Sequence, residues 1–271
     1  MKIIEPKVEQ LIQKPGIKGV YEIIDQVAGI CYGRHELHED SKAFVEKLIS
    51  MGHMRPLEFG TVYLKSKERL NILHDSFFCS VCTTFNYESN KYKTDTIHHY
   101  TTNLRFIVEN NLMEYVEDYW CEPTEHHTKR PCFLFTCSRA IADEFRTHIT
   151  LSSMMKSTRY CKVSNLEICI PRWKASKTIV SSITDYDSYL WFRAMKDSEE
   201  KYKELLENGL KPQEARGVLP MDMATELCMC GFYANGDLDA GWDRFLKMRC
   251  DKAAHEDAQY LANQVKEILQ K

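Results

Sequence analysis

Glycine and proline are scarce in this chain. It holds 11 Gly and 8 Pro among 271 residues, below the usual shares of about 7% and 5%, which excludes collagen-like and Pro/Gly-rich disordered classes. Uncharged apolar runs near the roughly 18 residues of a membrane span are also missing, so no membrane partner is expected. In the first residues, MKIIEPKVEQLIQKPG, charges interrupt every apolar pair and leave no signal-peptide core. The expectation is a cytoplasmic protein. Excess charge of one sign is absent as well: 36 Lys+Arg face 39 Asp+Glu, a formal net of -3. That balance argues against a nucleic-acid partner held through its phosphates, while a few local arginines suffice for a small anion. What the chain does have is thiols. Eleven cysteines, an odd number, run from Cys31 to Cys250 and read as reduced core fillers rather than a disulfide framework.

Residues 40–51 open on the capping residues Asp40 and Ser41, align Phe44, Val45, Leu48 and Ile49, and stop at Gly52, as an amphipathic helix does. GTVYLKS alternates like a strand. Residues 68–99 are polar, rich in Tyr and Cys and without a period, and read as an insertion or long loop. Helices are expected around 103–110 and 112–120. PCFLFTC (131–137) reads as a buried strand feeding the helix SRAIADEFRTHI, in which Ile141, Phe145 and His148 or Ile149 recur at helical spacing. LEICI (166–170) is a further strand. Helices follow from Thr184 or Asp185 to Gly209, from Pro212, and at the C-terminus, where Leu261, Val265, Ile268 and Leu269 share a side. The fold class expected is α+β, with a central, mostly antiparallel sheet packed by helices and a helical last third, in one domain over 1–271.

Three sets of residues could carry chemistry. Cys79 and Cys82 have metal-like spacing, with His74, His98 and His99 nearby, but lack the second close pair of a structural zinc site, so packed thiols are the better reading and no metal is expected. Cys228 and Cys230 are read as two apart on a helix, facing different ways. Ser157-Thr158-Arg159-Tyr160 offers hydroxyls, N–H groups and a guanidinium, a set suited to a phosphate; a solvated turn is the plain alternative. Arg216 and Arg249 sit among helical apolar residues and need partners: either acids such as Glu214 and Asp251, or an anionic ligand.

The stretches GHMRPLEF, TCSRAIADEFRTHITLSSMMKSTRYCK, KPQEARGVLP and FLKMRCDKAAH resemble, in this order, the blocks of the flavin-dependent thymidylate synthase family. The resemblance implies a homotetramer with FAD at subunit interfaces. It also implies conversion of dUMP to dTMP, with methylenetetrahydrofolate as carbon donor and NADPH as reductant. Ser157 and Arg159, with Lys156 and Thr158 beside them, match nucleotide-binding positions, and Arg216 matches a further dUMP arginine. Arg249 matches the arginine against the uracil ring, the catalytic position. His53 and Arg55 fall in the FAD block.

The family's Arg-His-Arg triplet is here Thr147, His148 and Ile149, and Met155 stands where a glutamate is expected, while Glu144 is kept. Arg146 replaces a lost arginine only through a one-residue slip, which on a helix rotates it by about 100°. In FYANGDLDAG, Asn235 or Arg244 takes over contacts to FAD. These departures keep open an alternative function, a divergent member that binds a pyrimidine nucleotide with altered or lost methyl transfer. Cys79, Cys82 and the nearby histidines leave open a third reading, a metal-stapled binding module with the synthase-like body as scaffold.

Overall fold

The computed structural model describes residues 1–71, 73–76, 78–86, 95–175, 186–236 and 240–271. Its strands are β1 (Lys2–Ile4), β2 (Lys7–Leu11), β3 (Thr61–Ser66), β4 (Ser80–Asn86), β5 (Asp95–Asn103), β6 (Cys132–Ser138), β7 (Ser152–Met155), β8 (Glu167–Cys169) and β9 (Ala224–Cys230). Among the helices, α1 (Gly16–Cys31), α2 (Ser41–Ser50), α3 (Leu104–Glu109) and α4 (Met113–Tyr119) precede α5 (Arg139–Phe145). After it come α6 (Arg172–Ala175), α7 (Tyr186–Glu207), α8 (Pro212–Ala215), α9 (Gly241–Arg249) and α10 (Glu256–Leu269).

The largest sheet runs β2-β6-β9-β7 with antiparallel pairing throughout. A second antiparallel sheet is ordered β3-β5-β4, and β1 pairs with β8 in parallel. The expected α+β class, with antiparallel sheets packed by helices, is what forms. Among the described residues no helix is long and apolar enough to cross a membrane.

Alternation on β6 and β9 divides the core. Phe133, Phe135, Leu227 and Met229 face α5, α9 and α10, where Ile141, Phe145, Trp242, Phe245, Leu261 and Val265 complete one cluster. Cys132, Cys228 and Cys230 face the other way, onto Val27 and Ile30 of α1 and onto Phe59. The remaining face of α1, with Val20, Ile23 and Ile24, packs on α2 and the three-stranded sheet. Each such buried side chain contributes roughly 1.5–3 kcal/mol, so α1 ties the two sheets together.

The helix expected at 40–51 forms as α2, with Asp40 Oδ1 accepting the Ala43 N–H at 3.0 Å. α7 closes at Gly209, whose φ of +91° suits glycine; the start read at Thr184 or Asp185 lies outside the described residues. Three readings are corrected. Residues 68–99 are not a long loop, because β4 and part of β5 lie there. Their Thr, Val, Ile and Tyr content favours strands, but both faces carry polar groups, and only pairing with β3 reveals the period. Cys228 and Cys230 lie on strand β9, not a helix, and so share one face. α5 ends at Phe145, so His148 continues the buried face beyond the helix while Ile149 is 91% exposed.

Candidate functional site

Trp242, Phe245 and Arg249 occupy i, i+3 and i+7 of α9, one face of the helix. That face packs on α5, with Phe245 edge-on to Phe145 at 4.9 Å and to the His148 ring at 5.0 Å. Arg249 is therefore carried onto the end of α5. Its Nε donates to His148 Nε2 at 2.8 Å, Nη2 donates to the Glu144 carbonyl oxygen at 3.2 Å, and Nη1 pairs with the Glu144 carboxylate. Burial, reinforced by the fields of Arg249 and Arg244, holds the His148 pKa down at about 4. The ring is thus neutral at physiological pH, with its proton on Nδ1, and accepts from the guanidinium. Three bonds fix a cation in one orientation, which is how a developing negative charge on a planar ligand is stabilised without reorganisation.

A second cluster begins where β7 ends. The Ser157 N–H donates to the Cys31 carbonyl at the end of α1 (2.9 Å), and Ser157 Oγ accepts the Arg159 N–H (3.2 Å). Arg216 Nη1 reaches Thr158 Oγ1 at 3.3 Å, and Lys156 pairs with Glu226 at 3.0 Å. Lys156, Ser157 and Thr158 line a cavity of about 540 Å³. Arg139, at the start of α5, has its pKa lowered chiefly by burial; Asp143 opposes this, and the nearby Arg146 and Arg216 add to it. Arg216 thus brings a guanidinium to Thr158, a group suited to a phosphate, while the cavity itself carries Lys2, Lys7, Lys156 and Lys162 against Glu5, Glu167 and Glu226. Arg139 and Glu144 are five residues apart on α5, about 7.5 Å of helix rise, so this short helix joins the phosphate-type cluster to the Arg249 cluster.

A third place collects the cofactor-type candidates Arg55 and Ile149, which line one cleft with Glu58, Arg105 and Arg130. Glu58 accepts from Arg105 Nη1 at 2.6 Å and faces Arg55 Nε at 3.9 Å. Sequence reasoning missed Arg105 and Arg130 because both lie in stretches without a motif. His53 is exposed beside this segment and does not line the cleft. Thr147 donates its hydroxyl to the Glu144 carbonyl at 2.7 Å, and Arg146 bonds Asp143. Met155 packs on the core between the sheet and α5, α9 and α10. Asn235, at φ +55°, accepts from the Tyr233 hydroxyl and lines a separate cleft beside His126 and His127. Arg244 lies close enough to His148 to act on its protonation.

The salt-bridge readings for the two arginines are corrected. Arg249 turns to Glu144 because residues 242, 245 and 249 share a face, while Asp251 accepts from the Ala253 N–H. Glu214 is taken by the Lys211 N–H. The zinc drawing also fails on geometry. Burial pushes the Cys79 thiol up to about 12, and among the described residues no three His, Cys, Asp or Glu side chains gather as ligands.

Comparison with known proteins follows this geometry. The family model described as thymidylate synthase complementing protein matches residues 81–271. A flavin-dependent thymidylate synthase of Synechocystis sp. is 27% identical over 143 residues, covering 50% of this chain and 64% of that protein. The chain thus spans less than two thirds of that relative's length. With the family model covering well over half of the sequence, including all of α5, β7, β9 and α9, the chain belongs to the thymidylate synthase complementing protein family, that of the flavin-dependent thymidylate synthases.

Proposed function

We propose that this chain is a flavin-dependent thymidylate synthase, converting dUMP to dTMP in a homotetramer whose pockets lie between subunits. The carrying observation is the Arg249 clamp: a guanidinium held by Glu144 and a neutral His148. Lying against a uracil ring, it favours negative charge at N3 and so raises electron density at C5. Ser157, Thr158, Arg159 and Arg216, with Lys156 beside them, hold the 5′-phosphate. Large apolar side chains bordering these clusters, Ile149, Tyr160, Val218 and Met221, are exposed, which supports their coverage by neighbouring subunits.

FAD is the cofactor in this reading, and the donors Arg55 and Arg130 would hold part of it: with Ile149 they line a cleft of about 180 Å³ in which a buried Arg130 N–H lacks an acceptor. Bound with part of itself there, FAD would supply hydride chemistry, with methylenetetrahydrofolate as carbon donor and NADPH as reductant. The protein's own task is to orient dUMP and stabilise its charge. Purified protein is expected to be yellow, or to become so with FAD, and to release tritium from C5-labelled dUMP when folate and NADPH are supplied. Absence of both flavin binding and release would reject the reading.

Thr147 spends its hydroxyl on the Glu144 carbonyl of the preceding helix α5, and Met155 packs against the core. These two residues favour a second reading, nucleotide binding with altered methyl transfer. Tight dUMP binding without dTMP formation would select it.

A further inference from the structure

Two thiols face each other across the ladder between β6 and β9, where Cys132 and Cys230 are register partners. Just beyond these strands the Gly231 N–H donates to the Pro131 carbonyl at 3.4 Å, and the Tyr233 N–H to the Lys129 carbonyl at 3.0 Å. The hydrogen-bonded pairs are therefore 129/233 and 131/231, and the pair 132/230 is of the non-hydrogen-bonded kind. Such a pair has its Cα atoms about 4.5 Å apart, with the two side chains drawn together, inside the roughly 4.4–6.8 Å that a disulfide spans. Cys228, the next thiol on that face, lies diagonally from Cys132 at about 7–8 Å, too far to bridge. Both register partners are free thiols, 5% and 1% exposed.

Neither sulfur is sealed off from small molecules. Cys230 lines the cleft beside Arg55, and Cys132 lines a separate cavity of about 350 Å³ bordered by Tyr63 and Trp120. Arg130 borders both and is 8% exposed. Its Nη1 donates to Cys230 Sγ and Thr61 Oγ1, both at 3.3 Å, and its Nε lacks an acceptor. A guanidinium withdrawn from water needs an anion, and the Cys230 sulfur is placed to supply it. Burial opposes ionisation of Cys230, as does Glu58, but the Cys132 thiol and the Arg130 guanidinium bring its pKa below the ordinary thiol value. Cys132 moves the other way, raised by burial and then by Cys230. The pair thus holds one thiolate and one thiol, the arrangement that reacts with peroxide and then closes a disulfide. A neutral Cys230 would instead donate to the Arg130 carbonyl, 3.7 Å away.

We propose that Cys132 and Cys230 form a peroxide-sensitive modification site, with Cys230 as the attacking sulfur and Cys132 as the resolving one. The Cys230 thiolate takes one oxygen of hydrogen peroxide, so that an S–O bond forms, the O–O bond breaks and hydroxide leaves. The Cys132 sulfur then attacks Cys230, forming the S–S bond while the sulfenic hydroxyl departs with the Cys132 proton as water. The two sulfurs lose two electrons and the peroxide gains them. Oxidation also takes from Arg130 the sulfur anion beside it, so the redox state of the pair sets the charge between the two cavities. Nothing in this inference depends on the function proposed above.

The test treats the folded full chain with hydrogen peroxide, then alkylates it in denaturant and maps its peptides without reduction. Cys132 and Cys230 should be linked, and dithiothreitol should release them. Cys79, Cys137 and Cys169, whose thiols burial pushes up, should remain open to alkylation. Cys132→Ala should stop at a sulfenic acid on Cys230 that dimedone traps, and Cys230→Ala should leave Cys132 reduced. Arg130→Met should slow the oxidation about tenfold and Arg130→Lys less, because the thiolate loses a matched cation. Unchanged rates in both folded variants would mean a neutral Cys230 and would overturn the proposal. It is also overturned by a bridge that forms only after unfolding, by linkage of Cys230 to Cys228, or by both sulfurs surviving peroxide that has oxidised the exposed Met51.

Discussion

His148 links stability to pH at the centre of the Arg249 cluster. Its folded pKa, about 4, lies below the ordinary value of 6.5, so the unfolded chain binds the extra proton first. Stability contributed by the neutral ring is complete above pH 6.5 and is lost as pH falls from there through 4. His99 is lowered to about 4 as well, by burial and then by His127 and His126, and adds to the same slope. His127 is lowered by burial too, so His148→Gln, whose amide oxygen accepts from Arg249 without titrating, should remove part of the melting-temperature loss between pH 6.5 and 4 and leave the share of the other two histidines; an unchanged slope would contradict this. Arg249→Lys keeps the charge but not the fork that spans Glu144 and His148, so kcat/KM for dUMP should drop on the order of 100-fold, as steady-state kinetics will show.

At the scale of elements, the placement of Arg249 depends on how α9 begins. Gly241 has φ +55°, and a Cβ there would sit 2.3 Å from the Phe232 carbonyl oxygen. Its N–H also donates to Thr150 Oγ1 at 2.9 Å, which joins α9 to the chain that follows His148. Gly241→Ala should destabilise the fold by about 1–3 kcal/mol in urea titration and shift α9 away from α5. Aromatic packing sets the other end of this arrangement: Phe135, Phe145, Trp242 and Phe245 meet between β6, α5 and α9, edge-on or tilted except for Phe135 and Trp242, which stack at 6.3 Å. The apolar spacing of α5 and α9 was readable locally, and so was β6. The element nature of 224–230 was not, because ATELCMC carries neither a clear helical nor a clear strand period until β6 and β7 flank it. Residues 16–31 carry Val20, Ile23, Ile24, Val27 and Ile30 at helical spacing; that signal was present and unread.

For the whole molecule, one chain holds Arg216 against Thr158 and Arg249 against Glu144 and His148. If each pocket draws the two arginines from different subunits, mixing two inactive variants restores some sites. Arg216→Ala and Arg249→Ala, unfolded and refolded together, should regain activity in about a quarter of pockets by random assortment in a symmetric oligomer. No regain in the mixture would place both arginines in one chain's pocket. Sedimentation should give the mass of a tetramer, and a monomer at working concentration would reject the interface reading.

Much of this protein follows from its sequence alone. The ordered blocks around His53, Ser157, Arg216 and Arg249 and the amphipathic spacing of α2, α5 and α10 are local patterns that neighbouring residues suffice to express. Tertiary structure decided the rest, above all which acid Arg249 meets, which face Cys228 and Cys230 share, and that Arg130 lies in the same cleft as Arg55. The reason is physical: strand pairing and ion pairing join residues up to nearly two hundred positions apart in this chain, as Lys2 with Glu167 and the Met1 ammonium with Glu199, and such contacts depend on how buried faces stack, which no local period encodes.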